Sequence, residues 1–451
     1  FGRVLIIKAL GLSKFIFGAN VLQMSDKWIT KINEKLYNYL WKGKCDKVKR
    51  KIVMQDVEKG GLNMTDLAMC IKAVRIKWIK KYINCKNDPA WKKTFEFLCN
   101  KENLNLFITS NFDTNELPVY LPLYHKESLK FWKDIKCETV EIKQDLNNQI
   151  LWYNKNVKVN NHTVFSKSLF QSGLWNVNDL YKNGELISFD IWFRRGASVN
   201  DYLVWRGIIE ALPFTWKELL KDNTPVSPDT RLCYIDFGNK ITYLNNLTER
   251  HIKEYEKGRI FSMMETTDFK AKTKYENDYA LNEDEWVNIY TNAFDVVIDN
   301  KIIEMQFKIL HRIIGTNSLL HKIGKKSSNK CDFCNMYKET IEHMFFNCIE
   351  VRNFWLEIFD KMNKNVGTNI QISIKGILLG YQLDDKTIEN NINVLCLYGK
   401  KYIHSMKLQF TIPRCQGFFS SMQRQLSTYA EIKNNKLQDF FHFIGHIDGT
   451  I

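Results

Sequence analysis

The sequence predicts a mainly α-helical, multi-domain protein with minor β structure. Apolar residues recur at helical spacing in several segments, for example 303–314, and this spacing gives a helix one buried face. Strand-like alternation is confined to Val157–Val164, where Asn160 and Asn161 suit the turn of a short hairpin. With 451 residues, of which 45% are hydrophobic, the chain is long enough for two or three domains.

Taken in order, the helical segments define three regions. A basic helical region spans residues 1–99, a connector spans 100–221, and a C-terminal domain spans 222–451. Pro, Asn and Asp residues in 221–229 are typical of a linker. One helix is predicted to run from the candidate N-cap Thr65 to the turn before Pro89. Further helices are predicted at 3–22, 28–41, 200–212, 214–220, 286–297 and 303–314.

Side-chain burial follows from the same periodicity. Trp28, Trp41 and Trp78 lie on apolar helix faces, so they are predicted to be core residues rather than base-stacking platforms. Lys308, His311 and Arg312 fall away from the apolar stripe of the last helix and are predicted to face outward.

The positive charge is concentrated at the start of the chain. Residues 1–93 contain 21 lysines and arginines against 7 acidic residues, an excess of 14 out of a net charge of +15. A concentrated basic field predicts a polyanionic partner, with nucleic acid first and an anionic membrane second. A solvated lysine surface is the alternative, but it accounts less well for a one-sided excess.

Two groups of cations stand out within this region. The connector 44–51 is dense in lysine and suits either a phosphate-contacting loop or a nuclear-import signal. The helix after Thr65 displays the second group. The predicted nucleic-acid contacts are Lys47, Lys49, Arg50, Lys51, Lys72, Arg75, Lys80 and Lys81.

Potential metal ligands cluster at one place, as Cys331-x₂-Cys334-x₈-His343-x₄-Cys348. Three thiols and one imidazole are a standard tetrahedral set for structural zinc. Buried free cysteines are one alternative, and a redox Cys-x-x-Cys pair is another, although it would not need His343 or Cys348. Residues five apart on an ideal helix lie about 140° apart, so we expect a bend, or a helix beginning near His343.

The remaining cysteines are scattered, which indicates reduced thiols in a nuclear or cytosolic protein. No apolar run is long enough to predict a membrane span. The chain begins at Phe1 with neither an initiator Met nor a signal peptide, and we expect it to be a piece of a longer polypeptide.

Several short motifs resemble one known family, the LINE-type (non-LTR) retrotransposon reverse transcriptases. The order and spacing of four motifs are similar to the thumb of these proteins: Gly2-Arg3 with the apolar run after it, Leu40-Trp41-Lys42-Gly43, Gly60-Gly61-Leu62, and Ala73 to Trp78-Ile79. The residues around the zinc ligands resemble the C-terminal Cys-His knuckle domain of the same family, notably Leu310-His311-Arg312, Glu339-Thr340 and Phe354-Trp355.

The resemblance implies a function for the whole chain. It implies the C-terminal part of an RNA-directed DNA polymerase, with a helical thumb, a connector and a helical C-terminal domain carrying the zinc knuckle at 331–348. Such a part would bind template RNA and RNA–DNA duplex in target-primed reverse transcription, within a nuclear and cytoplasmic ribonucleoprotein that is neither secreted nor membrane-bound. The implied partners also include target DNA and the palm, fingers and endonuclease domains of the parent chain.

The catalytic carboxylates of a polymerase are not found in this sequence. Two-metal catalysis uses palm carboxylates, usually in an aromatic-x-Asp-Asp turn, whereas Asp384-Asp385 follows Gln382-Leu383 without a strand–turn–strand context. No catalytic residue is predicted, Zn²⁺ is expected to be structural, and Mg²⁺ is expected only in the absent palm. The alternative function is a host-adopted zinc-knuckle structural or protein-interaction protein with no nucleic-acid role, and salt-sensitive RNA binding distinguishes the two.

Overall fold

The computed structural model is mainly helical, as the sequence predicts. It describes residues 2–19, 22–85, 87, 89–99, 101–135, 140, 142–146, 149–222, 233–236, 241–244, 270–429, 440, 443–445 and 447. Most of the predicted linker at 221–229 and the segment 245–269 lie outside the described residues.

The N-terminal part of the chain is a succession of helices joined by short turns. A π-helical stretch at Ile7–Leu12 separates the first two α-helices, so the predicted helix over 3–22 is interrupted. The α-helices are α1 (Gly2–Ile6), α2 (Ser13–Ala19), α3 (Asp26–Leu40), α4 (Arg50–Met54), α5 (Leu67–Asn84), α6 (Ala90–Cys99), α7 (Lys101–Thr109), α8 (Leu123–Ile135) and α9 (Lys143–Leu146).

Helices also dominate the rest of the described chain. They are α10 (Lys167–Gln171), α11 (Phe189–Arg194), α12 (Asp201–Ala211), α13 (Phe214–Lys221), α14 (Lys270–Tyr279), α15 (Glu283–Val296), α16 (Asn300–Leu310), α17 (Asn317–Lys322), α18 (Ile349–Val366), α19 (Ile374–Leu379), α20 (Lys386–Leu408) and α21 (Cys415–Tyr429). The predicted helices at 200–212, 214–220, 286–297 and 303–314 correspond to α12, α13, α15 and α16.

The described strands form three antiparallel two-stranded hairpins. The predicted hairpin is confirmed, with β1 (Lys158–Val159) paired to β2 (His162–Thr163) and both turn asparagines at positive φ. A second hairpin joins β3 (Tyr181–Lys182) to β4 (Glu185–Leu186) through Asn183-Gly184, an Asn-Gly signal that the sequence analysis missed. The third pairs β5 (Cys233–Asp236) with β6 (Ile241–Leu244).

By compactness the chain divides into two units. The first comprises Phe1–Ile7, Tyr37–Met64 and Met264–Ile451, and the second comprises Lys8–Leu36 and Thr65–Met263. This grouping is discontinuous in sequence because segment 37–64 belongs with the C-terminal residues. The predicted boundaries at 99/100 and 221/222, which follow chain order, stay predictions.

The first unit is built around one extended apolar core. Trp286, Phe345, Phe354, Trp355 and Ile358 are all at most 2% exposed within it. His311 belongs to this interior as well, and its Nε2 atom lies 2.7 Å from the Gly60 carbonyl oxygen. The prediction that His311 faces outward is therefore wrong: the apolar face of α16 continues through the turn that follows it.

Two apolar clusters fill the second unit. One surrounds Phe95, Phe107 and Trp132, and the other surrounds Trp152 and Trp205. The partly buried Trp78 packs against the first cluster. The prediction that Trp28 is a core residue is wrong, since its side chain is 58% exposed.

Helix α5 begins one residue later than its candidate cap suggested. The Asp66 carboxylate, rather than Thr65, accepts hydrogen bonds from the backbone N–H groups of Ala68 at 2.8 Å and Met69 at 3.4 Å. Asn33 supports this cap by donating to the other Asp66 oxygen at 2.8 Å. A side-chain acceptor at this position satisfies amides that have no partner inside the helix.

Arg75 does not lie on the outside of α5. Its side chain is fully buried, and its guanidinium donates to the carbonyl oxygens of Ala19 and Leu22 and to the Glu127 carboxylate. The prediction that Arg75 contacts nucleic acid is therefore wrong. Its spacing from Lys72 is that of an outer helix face, but two carbonyls and a carboxylate satisfy its charge inside the unit.

Candidate metal centre

The Cys-x-x-Cys segment forms a tight turn. The Cys331 amide donates to the Tyr337 carbonyl at 2.8 Å, next to an antiparallel bridge between Lys330 and Lys338. Asn335 closes the turn at φ 55°, a left-handed conformation that asparagine tolerates better than most residues. The Phe333 amide lies 3.4 Å from the Cys331 sulfur as a donor. The turn thus places two cysteines side by side and directs a backbone N–H toward one of them.

His343 and Cys348 are brought together by a π-helical turn. Residues His343–Asn347 are π-helical, and the Cys348 amide donates to the His343 carbonyl at 3.0 Å, an i→i+5 hydrogen bond. This bond places Cys348 one π-helical turn above His343. The expectation that His343 and Cys348 do not share a straight α-helix is confirmed, and the π-turn is the specific form of the departure.

The four candidate ligand atoms converge at one point. They all lie within 4.8 Å of one another; the Cys331 and Cys348 sulfurs are 3.8 Å apart, and the Cys334 sulfur is 3.4 Å from His343 Nε2. Zinc bonds of about 2.3 Å to sulfur and about 2.05 Å to nitrogen give tetrahedral edges of about 3.8 and 3.6 Å. The donor set and its spacing therefore fit a closed Cys₃His zinc site.

Mutual contacts and burial shift the pKa values of three of these groups. The Cys331 thiol donates to the Cys348 sulfur, which lowers the pKa of Cys348 and, together with burial, raises the pKa of Cys331. Burial lowers the pKa of the His343 imidazole, which favours the neutral ring with a free lone pair. A cation at the centre would stabilise the thiolates that metal binding requires.

A buried polar network fixes the segment that carries the ligands. Glu339 has no exposed surface; it accepts from the Asn317 amide at 2.7 Å and pairs with the ammonium group of Lys407. Lys407 also donates to the Asn317 side chain at 3.0 Å. Sequence reasoning missed Lys407 because it lies 68 residues from Glu339, beyond any recognised motif.

The flanks of the centre are tied to the turn that follows α16 and to α18. Arg312 pairs with Glu342 at 2.7 Å, next to the zinc-ligand candidate His343, and its guanidinium lies 4.9 Å from the ring centre of Tyr275. The Trp355 indole donates to the Phe345 carbonyl within the π-turn at 2.8 Å. Each side of the centre is therefore attached to the core of the first unit.

The predicted nucleic-acid contacts fall into both units. Lys47, Lys49, Arg50 and Lys51 are exposed in the first unit, where Arg50 pairs with Asp46 at 2.7 Å. In the second unit Lys81 is exposed, whereas Lys72 and Lys80 are half-buried. Apart from Arg75, all the predicted contact residues thus keep surface available to a ligand.

Asp385, the second residue of the Asp384-Asp385 pair, has a local structural role. Asp385 caps α20 by accepting from the backbone N–H groups of Thr387 at 2.8 Å and Ile388 at 3.1 Å. An aspartate at this position is a common helix cap.

Comparison with known proteins agrees with this geometry. The family described as zinc-binding in reverse transcriptase matches residues 269–355, which contain the whole Cys₃His cluster. A protein of Xenopus laevis, the transposon TX1 uncharacterized 149 kDa protein, is 22% identical over 391 residues. That match covers 78% of this chain and 29% of the relative, so the chain spans less than a third of the protein it resembles. The resemblance drawn from the sequence is confirmed: the chain is similar to a transposon protein over most of its length, and residues 269–355 match the zinc-binding domain of reverse transcriptases, as expected of the C-terminal part of a LINE-type reverse transcriptase.

Proposed function

We propose that this chain is the thumb, connector and zinc-domain part of a non-LTR retrotransposon reverse transcriptase. It holds template RNA and RNA–DNA duplex, next to target DNA, during target-primed reverse transcription. The observation that carries the proposal is the converged Cys₃His centre within a domain of the reverse-transcriptase zinc-binding family. The parent chain supplies the palm, fingers and endonuclease, and the assembly acts as a nuclear and cytoplasmic ribonucleoprotein.

Zinc in this proposal is structural. Cys331, Cys334, His343 and Cys348 would hold one ion, and four protein ligands leave no open coordination position for substrate. The ion would join the Cys-x-x-Cys turn to the π-turn and so complete the fold of the domain. Binding of nucleic acid would fall to the cations outside the centre.

Nucleic-acid binding by the chain is expected to depend steeply on salt. Lysine contacts to phosphate release counterions, so log affinity for RNA should fall linearly with log salt concentration. Replacing Lys47, Lys49 and Lys51 with glutamine should make the slope shallower by roughly 0.7 per lost contact on single-stranded RNA. Fluorescence anisotropy with labelled RNA at several salt concentrations measures this slope.

The matched control removes three exposed lysines from other helices of the same unit, Lys361, Lys364 and Lys386. If the salt slope changes equally in both variants, Lys47, Lys49 and Lys51 contribute only through the net charge of the protein and not through specific phosphate contacts. A wild-type chain that binds neither RNA nor RNA–DNA duplex at low salt would contradict the proposal and leave a protein-interaction role for the zinc domain.

The chain alone is expected to make no DNA. Phosphoryl transfer to a growing strand needs carboxylates that hold two divalent ions about 4 Å apart. The described residues offer closed thiolate–imidazole ligation, and Asp385 is engaged as a helix cap. Primer extension on an RNA template with magnesium and dNTPs should therefore give no product.

The control for this assay is the same chain extended upstream through a palm, which should give product if the genomic copy is intact. DNA synthesis by the 451-residue chain, abolished by Asp384→Ala with Asp385→Ala, would show that this pair is catalytic.

A further inference from the structure

A basic cavity lies within the first unit, apart from the zinc centre. Its volume is about 360 Å³. Its walls come from the first residues of the chain, from the segment after α3, from Leu62 and from most of the length of α16, between Asn300 and Lys308. Residues from the start of the chain and from the zinc domain therefore line one space. No motif predicted this grouping, because about 250 residues of sequence separate the two walls.

The cavity carries a large excess of positive charge. Six lining side chains are cationic: Arg3, Lys42, Lys44, Lys47, Lys301 and Lys308. Glu304 is the one acid among the described lining residues, and Lys308 pairs with it at 2.6 Å. Lys42, Lys44, Lys47 and Lys301 form no ion pair in the part of the chain that the structure describes.

The conformation of the chain maintains this crowding. Helix α3 ends at Leu40, and Lys42 and Gly43 follow at φ 58° and 73°, both left-handed. The Gly43 amide returns to the Asn38 carbonyl at 2.9 Å, which closes the helix end and turns the chain toward Lys44 and Lys47. A non-glycine residue at positive φ is uncommon, so the position of Lys42 is specifically held.

Like charges act on one another in this space. Partial removal from water first, and then the ammonium groups of Lys308 and Lys44, lower the pKa of the Lys47 side chain, although part of it stays exposed. An anion placed among these groups would relieve their repulsion and favour the charged form of Lys47.

The walls are not purely ionic. Trp41, Leu40 and Phe307 contribute apolar surface, and the buried indole Nε1 of Trp41 has no hydrogen-bond partner among the described residues. Cations beside an aromatic face suit a ligand that carries phosphates on a partly apolar frame, which is the chemistry of a nucleic-acid strand. Inorganic phosphate would use the cations and leave the apolar wall unused.

We infer that the basic cavity is a phosphate site that holds consecutive phosphates of a nucleic-acid strand, with Lys44, Lys47 and Lys301 as its principal contacts. The inference rests on the proposed function and adds residues of α16 to the binding surface. It assigns part of the nucleic-acid contact to the zinc-domain side of the chain, although the predicted contacts all lie before residue 82.

Lysine acylation followed by mass spectrometry tests the inference on the full chain. The probes are a 20-nucleotide single-stranded RNA and, separately, inorganic pyrophosphate. RNA should protect Lys44, Lys47 and Lys301 together, and it should leave Lys361 and Lys364 on α18 as reactive as before. Protection by RNA at concentrations where pyrophosphate protects none of the three identifies a strand as the ligand, whereas equal protection by pyrophosphate reduces the site to one for free phosphate.

Charge variants test the inference in two directions, because removing cations should weaken RNA binding and removing the carboxylate should strengthen it. Replacing Lys44 and Lys301 with glutamine should weaken RNA binding and flatten the salt slope by roughly 1.4, at about 0.7 per contact. The matched control, Lys361→Gln with Lys364→Gln, should change neither. Glu304→Gln removes the carboxylate that neutralises Lys308, and it should strengthen RNA binding.

The outcomes separate this inference from the proposed function. RNA binding that is unchanged in the cavity variants, with Lys44, Lys47 and Lys301 unprotected, overturns the cavity and leaves the proposed function standing. A wild-type chain that binds no RNA overturns the proposed function and the strand as ligand, and labelling with pyrophosphate then decides whether a phosphate site remains.

Discussion

Replacing Cys334 with serine is expected to release zinc and to unfold the segment around residues 325–360. A serine hydroxyl does not replace a thiolate as a zinc ligand, and three remaining ligands hold the ion far less tightly. Structural zinc contributes on the order of 10 kcal/mol to the folding of small sites, because the unfolded chain offers no preformed site. Metal analysis and limited proteolysis of the purified, reduced protein measure the two effects.

The matched control is Cys45→Ser, since Cys45 is an exposed cysteine outside the cluster. That variant should keep one zinc per chain and the proteolytic pattern of the wild type. A chelator should reproduce the Cys334→Ser pattern in the wild type and change nothing further in the variant. If the reduced wild-type protein contains no zinc, the prediction of a zinc site is wrong, and the three cysteines of the cluster are free thiols.

Replacing Arg75 with methionine is expected to destabilise the second unit by roughly 3 kcal/mol. The change leaves the Ala19 and Leu22 carbonyl oxygens without their donor and removes the cation that pairs with Glu127. Each buried polar group left without a partner costs about 1–3 kcal/mol, and breaking a buried ion pair costs about 3–5 kcal/mol. Denaturant unfolding followed by tryptophan fluorescence measures the loss.

Lys77→Met on the same helix is the control, because Lys77 is exposed and the charge change is identical. It should alter stability by less than about 0.5 kcal/mol. Near wild-type stability for Arg75→Met, combined with a flatter salt slope for RNA binding, would restore Arg75 as a phosphate contact and contradict its burial.

The sequence predicted the grouping of the four candidate ligands correctly because the information for it is local. Four ligands fall within 18 residues, and the five-residue step from His343 to Cys348 already excluded a straight α-helix. The π-turn itself was not predictable, since spacing alone does not distinguish it from a bend. The β3–β4 hairpin could have been found, because Asn183-Gly184 is a strong turn signal.

The spacing of apolar residues along a helix did not predict polar contacts between residues that are distant in sequence. Arg75 and His311 both occupy positions that read as outer helix faces, yet each meets backbone carbonyls from distant parts of its own unit. Lys407 likewise pairs with Glu339, a residue that is distant in sequence. A helical pattern reports which side chains are apolar, and it carries no information about a carbonyl or carboxylate that arrives from elsewhere in the chain.

The π-turn at His343–Asn347 sets the rotational phase of α18. Deleting one residue from it would give the two ligands the i, i+4 spacing of an ordinary α-helix, so coordination alone would tolerate the shorter spacing. The same deletion would rotate everything after it by about 100°, moving Phe354, Trp355 and Ile358 off the core into which they pack. The number of residues between His343 and Cys348 is therefore set by the need to orient the apolar face of α18 toward the core. Metal coordination alone would accept a spacing one residue shorter.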